Sequence, residues 1–464
     1  MKKNARVLSI LFILASQMAA LFGGAFDVQA KAGMGISSAN TLKVFYVDGA
    51  KGSDLNAGAL DKPWKTIQKA ANAAPLGSRV VVMAGNYPER VTIKRAKNIG
   101  YPLVFEASGR VVMQGFTVLT NYVTINGFEI TDTPDNSRDG WGIFVNASYC
   151  QIENNYIYYA THGGINLYVE SNNYAQIKGC VVSNNRLYKN AMAGMIVTGR
   201  SHLILNNEIW GTIQHHPKMA VQPSWLDADG IHFHGSGHVF RGNYIHDITF
   251  ADAENIDPHI DCFQTFVSAP LKEAASNILF EQNKCDNIQV QNAEEVGKGF
   301  MLQGASNITI RNNIIKAYTG INANSGTSGL TIINNTFVGD PALTTDFYPI
   351  GIVMRNLTGA VVYNNLFYNL PGHIIYLEDV QSLSSGRNLA YRDDGKSLWT
   401  TNTYSPQNDL WNVNPLFVSS TDYHLSAGSP AIDAGTKVML NNDFEGNARP
   451  SGSGYDIGAY EFVN

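Results

Sequence analysis

The chain has 464 residues, a formal net charge of −5 and 44% hydrophobic residues. That balance argues against nucleic acid as a partner, because a basic footprint is the first requirement for holding a phosphate backbone. Four cysteines in a chain of this size are too few for a disulfide framework.

Lys2, Lys3 and Arg6 precede an apolar run from Val7 to about Phe22, and Val28-Gln29-Ala30 places small residues three and one before a cleavage point. This pattern predicts a signal peptide over 1–30, a secreted, extracellular protein, and one mature domain over 31–464. No later run approaches the roughly 20 apolar residues that a span needs, so no transmembrane anchor is expected.

Lys43 to Val47 reads as a strand, followed by turn-rich sequence through Asp61. Pro63 suits the first position of a helix, and Trp64, Ile67, Ala71 and Ala74 recur at helical spacing. A single helix ahead of many strands predicts an N-terminal cap over about 43–80, covering the open end of a stacked structure.

From about 80 to 390 the chain falls into short Val/Ile/Phe-rich runs punctuated by Gly and Asn. A recurring pair marks them: Asn154-Asn155, Asn184-Asn185, Asn206-Asn207, Gly242-Asn243, Gln282-Asn283, Asn312-Asn313, Asn334-Asn335 and Asn364-Asn365. The intervals are those of a solenoid whose coils carry loops of different length. Asparagine tolerates a left-handed corner and bonds to its counterpart one coil away. The expectation is an all-β parallel β-helix, closed by a segment over about 391–464.

Cys150 and Cys180 precede their Asn pairs at the same offset, which stacks them within reach of a disulfide or leaves them as buried thiols. Cys262 and Cys285 share no such offset and read as core residues.

Aligning the coils by their GI-type runs puts Ile165, Met195, Ile231, Cys262, Phe300, Ile321 and Ile352 at one inward position. Strand alternation then turns Asn166, Ile196, His232, Phe263, Met301, Asn322 and Val353 outward. Two further on, Tyr168, Thr198, His234, Thr265, Gln303, Asn324 and Arg355 face out as well. Three runs within this array concentrate charge: ADGIHFHG (228–235), NIDPHIDCFQTF (255–266) and GKGFMLQG (297–304). At a rung spacing of about 4.8 Å, Asp229, Asp257, His259, Asp261 and Lys298 become neighbours of His232 and His234.

Both ends of the chain carry further signals. Asn414-Pro415-Leu416-Phe417, Ser429-Pro430-Ala431-Ile432-Asp433 and Asp456-Ile457-Gly458-Ala459-Tyr460-Glu461 resemble the closing motifs of secreted bacterial right-handed β-helix proteins, and residues 46–87 resemble their opening. At the three charged runs the sequence is similar to the family 9 polysaccharide lyases, which cleave pectate. The resemblance implies aspartate ligands for Ca²⁺ at Asp229, Asp257 and Asp261, and a lysine base. Pro258 stands where another aspartate is expected, and Met301 stands at the lysine position.

The resemblance therefore implies an extracellular polysaccharide as partner and β-elimination from a uronate as the reaction. Abstracting the C5 proton needs a base within hydrogen-bond reach and neutralisation of the adjacent carboxylate. The catalytic candidates are His232, His234, His259 and Lys298, with a histidine needing less pKa depression than a lysine to act near neutrality. Arg355 is expected to pair with a substrate carboxylate, and Phe263, Tyr318, Gln303 and Asn322 to line the sugar groove. Two alternatives draw on the same residues. His232 and His234 with His259 or Asp261 can form a Zn²⁺ or other transition-metal site, and Asp229 with Asp261 can act as the paired carboxylates of a glycoside hydrolase. A third reading is a carbohydrate-binding or cell-surface protein without catalysis.

Overall fold

The structure is a computed structural model that describes residues 42–95, 100–169, 177–222, 226–249, 259–267, 274–288, 296–340, 349–401, 403–405 and 408–463. Asp257, like the expected signal peptide, lies outside the described residues. The strands stack in parallel, in register, from one coil to the next. Most coils contribute three strands, as in Trp141–Val145, Gln151–Glu153 and Tyr156–Tyr158. The result is a parallel β-helix with one continuous apolar core.

The paired corner residues divide their work. The first of each pair, from Asn154 (φ 57°) through Gly242 (φ 67°) to Asn364 (φ 58°), takes the left-handed conformation that turns one strand into the next. The second forms a buried ladder. Asn155, Asn185, Asn207, Asn243, Asn283, Asn313, Asn335 and Asn365 each donate backbone N and side-chain Nδ2 to Oδ1 of the next member at 2.9–3.1 Å. Asn388 and Asp409 extend the ladder beyond the pairs seen in the sequence, with Asn388 N donating to Asp409 Oδ1 at 2.9 Å.

A second repeat is one of volume. A Cβ added to Gly142, Gly194, Gly230, Gly299, Gly320 or Gly351 would lie 2.9 Å or closer to the side chain of Ile157, Ile209, Ile245, Ile315, Phe337 or Phe367 respectively. In one coil cysteines replace both partners. Cys262 stands at the glycine position and is disulfide-bonded to Cys285, which pairs with Ile245 and Ile315 in the third sheet. Both are buried in the core, as expected, and the disulfide between them is an addition to that reading. Cys150 and Cys180 are free and buried, their thiols donating to the carbonyls of Thr120 at 3.6 Å and Ala147 at 3.3 Å.

The N-terminal helix spans Ile67–Ala73, starting later than Pro63 suggests. Trp64 is taken by a bridge to Val47 and stacks on Phe45, so helical geometry begins only after Thr66, whose side chain caps Lys69 N at 3.1 Å. Ile67, Ala70 and Ala71 face the core. At the other end, residues beyond 411 double back along the coils. Side-chain amides of Gln282, Asn312, Asn334 and Asn364 bond to the carbonyls of Asp443, Asn442, Asp456 and Thr436 at 2.7–2.9 Å. The Arg449–Glu461 ion pair buried inside that segment holds its shape. Among the described residues no helix is long and apolar enough to cross a membrane.

Candidate functional site

Three corners superimpose on successive coils. Asp229 and Asp261 each stand two residues ahead of the paired Ile231 and Phe263, and Asp261 pairs directly with Lys298. Each is an edge residue of its strand, Asp229–Phe233, Asp261–Thr265 and Lys298–Gln303, and all three are buried. Asp229 Oδ1 accepts from the backbone N of Asp261 at 2.5 Å, and its Oδ2 accepts from His232 Nε2. Asp261 Oδ2 accepts from Gln264 Nε2 at 3.1 Å. Lys298 Nζ lies 3.6 Å from Asp261 Oδ1 and donates to Val296 O at 2.9 Å. Asp227 adds a further carboxylate, 3.3 Å from His259 Nδ1 and 3.8 Å from His232 Nε2.

Burial governs the charges here. It raises Asp229 to about 7 against the pull of His232, and it raises Asp261 against the pull of Lys298. Burial also opposes a charge on His232, but the Asp229 carboxylate prevails and holds the imidazole above its ordinary value. His234, with no carboxylate of its own, is pushed down to about 3 by burial and by His232, so it stays neutral.

The outward rows follow the expected register except on one coil. His232 pairs with Gln264, which pairs with Met301. Gln264 and Phe266 therefore occupy the places expected for Phe263 and Thr265. The reason is Cys262: it stands where other coils carry glycine, so an alignment anchored on GI-type runs slips by one residue. Phe263 consequently packs in the core on Phe300, at 4.9 Å between ring centroids. Tyr318 is also buried, at the corner before Thr319–Asn324. Neither lines a sugar groove. Arg355 is exposed but paired with Glu378 on the next coil at 3.0 Å, two coils beyond Lys298. Asn322 and Gln303 are half-buried on the outward rows, beside Met301 and two places along from it.

Asp227, Gln264 and Phe266 escaped the sequence reading. Gln264 had a signal: Asp261 and Gln264 repeat the spacing of Asp229 and His232. The cavity beside His232 had none. It measures about 500 Å³, and its walls include Trp141, Tyr168, Met192, Met219 and Phe266 together with His232 and His234. One wall includes Met219, Val221 and Leu226 from the stretches 211–222 and 226–228, the first of which is held over the earlier coils by the Lys218–Asp132 ion pair and by Ala220 N donating to Asp135 Oδ2 at 2.7 Å.

Asp227, Asp229 and His232 bring three potential ligand atoms within 4.8 Å of one another. These donors fit Ca²⁺ poorly. Calcium takes 6–8 oxygen ligands, whereas both Asp229 oxygens already accept hydrogen bonds, Asp261 faces an ammonium and the third donor is an imidazole. Two carboxylates and an imidazole suit a borderline transition ion better.

Residues 141–343 and 273–449 match the family model described as "Right handed beta helix region", and the chain belongs to that family. The handedness expected from the sequence is thereby shown. Among solved structures, the pectate lyase Pel9A is 20% identical with a TM-score of 0.51, covering 92% of this chain and 98% of its own. XylC in complex with xylose is 14% identical with a TM-score of 0.58, covering 91% and 98%. Among curated sequences, the protein YwoF of Bacillus subtilis (strain 168) is 28% identical over 125 residues, a match spanning 23% of this chain and 27% of that protein. At these identities the structural likeness is one of fold.

Proposed function

We propose that this protein is a secreted polysaccharide-active enzyme that cleaves uronate-containing chains by β-elimination, with His232 as the base. The observation that carries this reading is the His232–Asp229 pair: a buried carboxylate orients an imidazole that borders a sugar-sized cavity. This is the arrangement by which an aspartate fixes the tautomer of a catalytic histidine. With Met301 at the expected lysine position and Lys298 turned to Asp261 and Val296, His232 is the better-placed base; it acts in its neutral form, so with its pKa held above the ordinary value by Asp229 the rate should rise with pH through that raised pKa. His232 takes the C5 proton, the electron pair forms the C4–C5 double bond, the C4–O bond breaks, and the leaving oxygen takes a proton from water. The similarity of the three charged runs to the family 9 polysaccharide lyases supports the substrate class. Export is supported by the N-terminal pattern and by a disulfide, which persists in oxidising compartments.

The hydrolase reading fits less well. Asp229 and Asp261 are fully buried and joined through a backbone N–H. Paired glycosidase carboxylates instead flank the scissile bond about 5–9.5 Å apart. Of the three expected Ca²⁺ ligands, Asp257 lies outside the described residues, and the proposal takes no step through a bound cation. A transition ion at Asp227, Asp229 and His232 would remove His232 from proton transfer. The test is product analysis on polyuronates with and without chelator. Conjugated, ultraviolet-absorbing ends support the lyase. New reducing ends without conjugation indicate hydrolysis, and binding without either product indicates the non-catalytic reading.

A further inference from the structure

We infer that the cavity beside His232 receives a sugar unit without a free carboxylate, so that the uronate attacked is capped as an ester. The inference rests on the lyase reading and narrows its substrate. Six side chains dominate the cavity lining, Trp141, Tyr168, Met192, Ile196, Met219 and Phe266, and no lysine or arginine is among the described residues that line it. Aromatic and aliphatic walls suit the C–H face of a pyranose or an ester methyl group. A free carboxylate placed there would be largely desolvated, and among the described lining residues it would face only imidazoles, with His232 already paired to Asp229 and His162 to Asp135, which is unfavourable.

The surroundings add to that cost. Asp227, Asp229 and Asp261 already concentrate acidic groups at this edge, Lys298 faces Asp261, and Arg355 is paired with Glu378. What the lining offers instead is neutral hydrogen bonding. Asn166 Oδ1 and His234 Nδ1 are buried and have no hydrogen-bond partner, although both residues line the cavity. Buried polar atoms are almost always satisfied, so such a pair points to a ligand's hydroxyl groups. Esterification also bears on the chemistry. Without a negative charge beside C5, the C5 proton is more acidic, and elimination no longer depends on a cation to neutralise it.

The test uses the mature chain with three polymers of similar length: a methyl-esterified polyuronate, the same polymer after saponification, and a neutral polysaccharide. Initial formation of conjugated ends and affinity by titration calorimetry are both measured, with and without chelator. The expected result is a rate on the ester at least about tenfold above that on the saponified polymer, unchanged by chelator. Equal or faster turnover of the saponified polymer overturns the inference while leaving the lyase standing. If neither uronate gives conjugated ends, the lyase reading fails, and tighter binding of the saponified than the esterified polymer would overturn the groove assignment as well. Ile196→Lys, on the outward row beside His232, should shift the preference towards the saponified polymer. An unchanged ratio in a folded variant also counts against the inference.

Discussion

His232 draws its chemical character from residues that never touch solvent. Asp229 holds its ring, and Asp261, one coil on, presents its backbone N–H to the same carboxylate. Asp261→Ala keeps that backbone N–H but strands the Lys298 ammonium and removes the acceptor of Gln264 Nε2 beside His232, so it is expected to abolish turnover, a loss to be read from kcat on an esterified polyuronate; unchanged kcat would remove Asp261 from the site. Away from the site, His238 illustrates the opposite use of an imidazole. It stacks on His202 at 5.1 Å, accepts from His202 N at 3.1 Å and donates to His234 O at 2.9 Å. Burial pushes its pKa well below the ordinary 6.5, so it stays neutral when folded. As pH falls below about 6.5 the unfolded chain takes a proton that the folded chain refuses, and stability drops by about 1.4 kcal/mol per pH unit from this residue. His238→Asn should reduce the loss in unfolding free energy between pH 7 and pH 5 by about 2 kcal/mol. An identical loss in the variant would show that His238 does not carry that acid sensitivity.

Corners and strands set the stability of each coil. In Asn243→Ala, the buried backbone N–H and Nδ2 of Asn207 lose their acceptor and Asn283 Oδ1 loses one of its two donors, so a destabilisation of about 2–4 kcal/mol is expected by chemical denaturation. Asn154→Gly should be close to neutral, because Gly242 already fills the equivalent left-handed position. The coil with Cys262 and Cys285 allows a sharper test. Reduction should destabilise the wild type by about 3 kcal/mol. The double substitution Cys262→Gly with Cys285→Ile restores the pairing of glycine with a large residue seen in the flanking coils, and its melting temperature should be indifferent to reductant. Cys285→Ile alone should destabilise by overpacking.

The same coil shows where sequence reading reached its limit. Corner asparagines betray themselves because few residues both tolerate φ near 55° and bond to a copy of themselves, so the ladder and the stacked strands were legible. Cysteine at a glycine position concealed the anchor of one coil, which misplaced Phe263 and hid Gln264. The stretches 211–222 and 226–228 that contribute to the wall carry no repeat, and nothing in their local pattern says that Lys218 will reach Asp132, 86 residues earlier.

At the scale of the whole molecule, the β-helix supplies a rigid stack on which distant residues meet. Helix Ile67–Ala73 covers one end, and the C-terminal segment straps the later coils through their corner amides. Neither feature contributes directly to the chemistry; the coil register superimposes Asp229, Asp261 and Lys298, and the cavity lies beside His232. The central claim is that His232 performs proton transfer on a sugar held beside it. The most direct measurement is the rate of conjugated product formation by His232→Ala relative to wild type on an esterified polyuronate, with affinity measured in parallel. The account predicts a fall of about two to four orders of magnitude in rate with binding retained. A rate equal to wild type would contradict it.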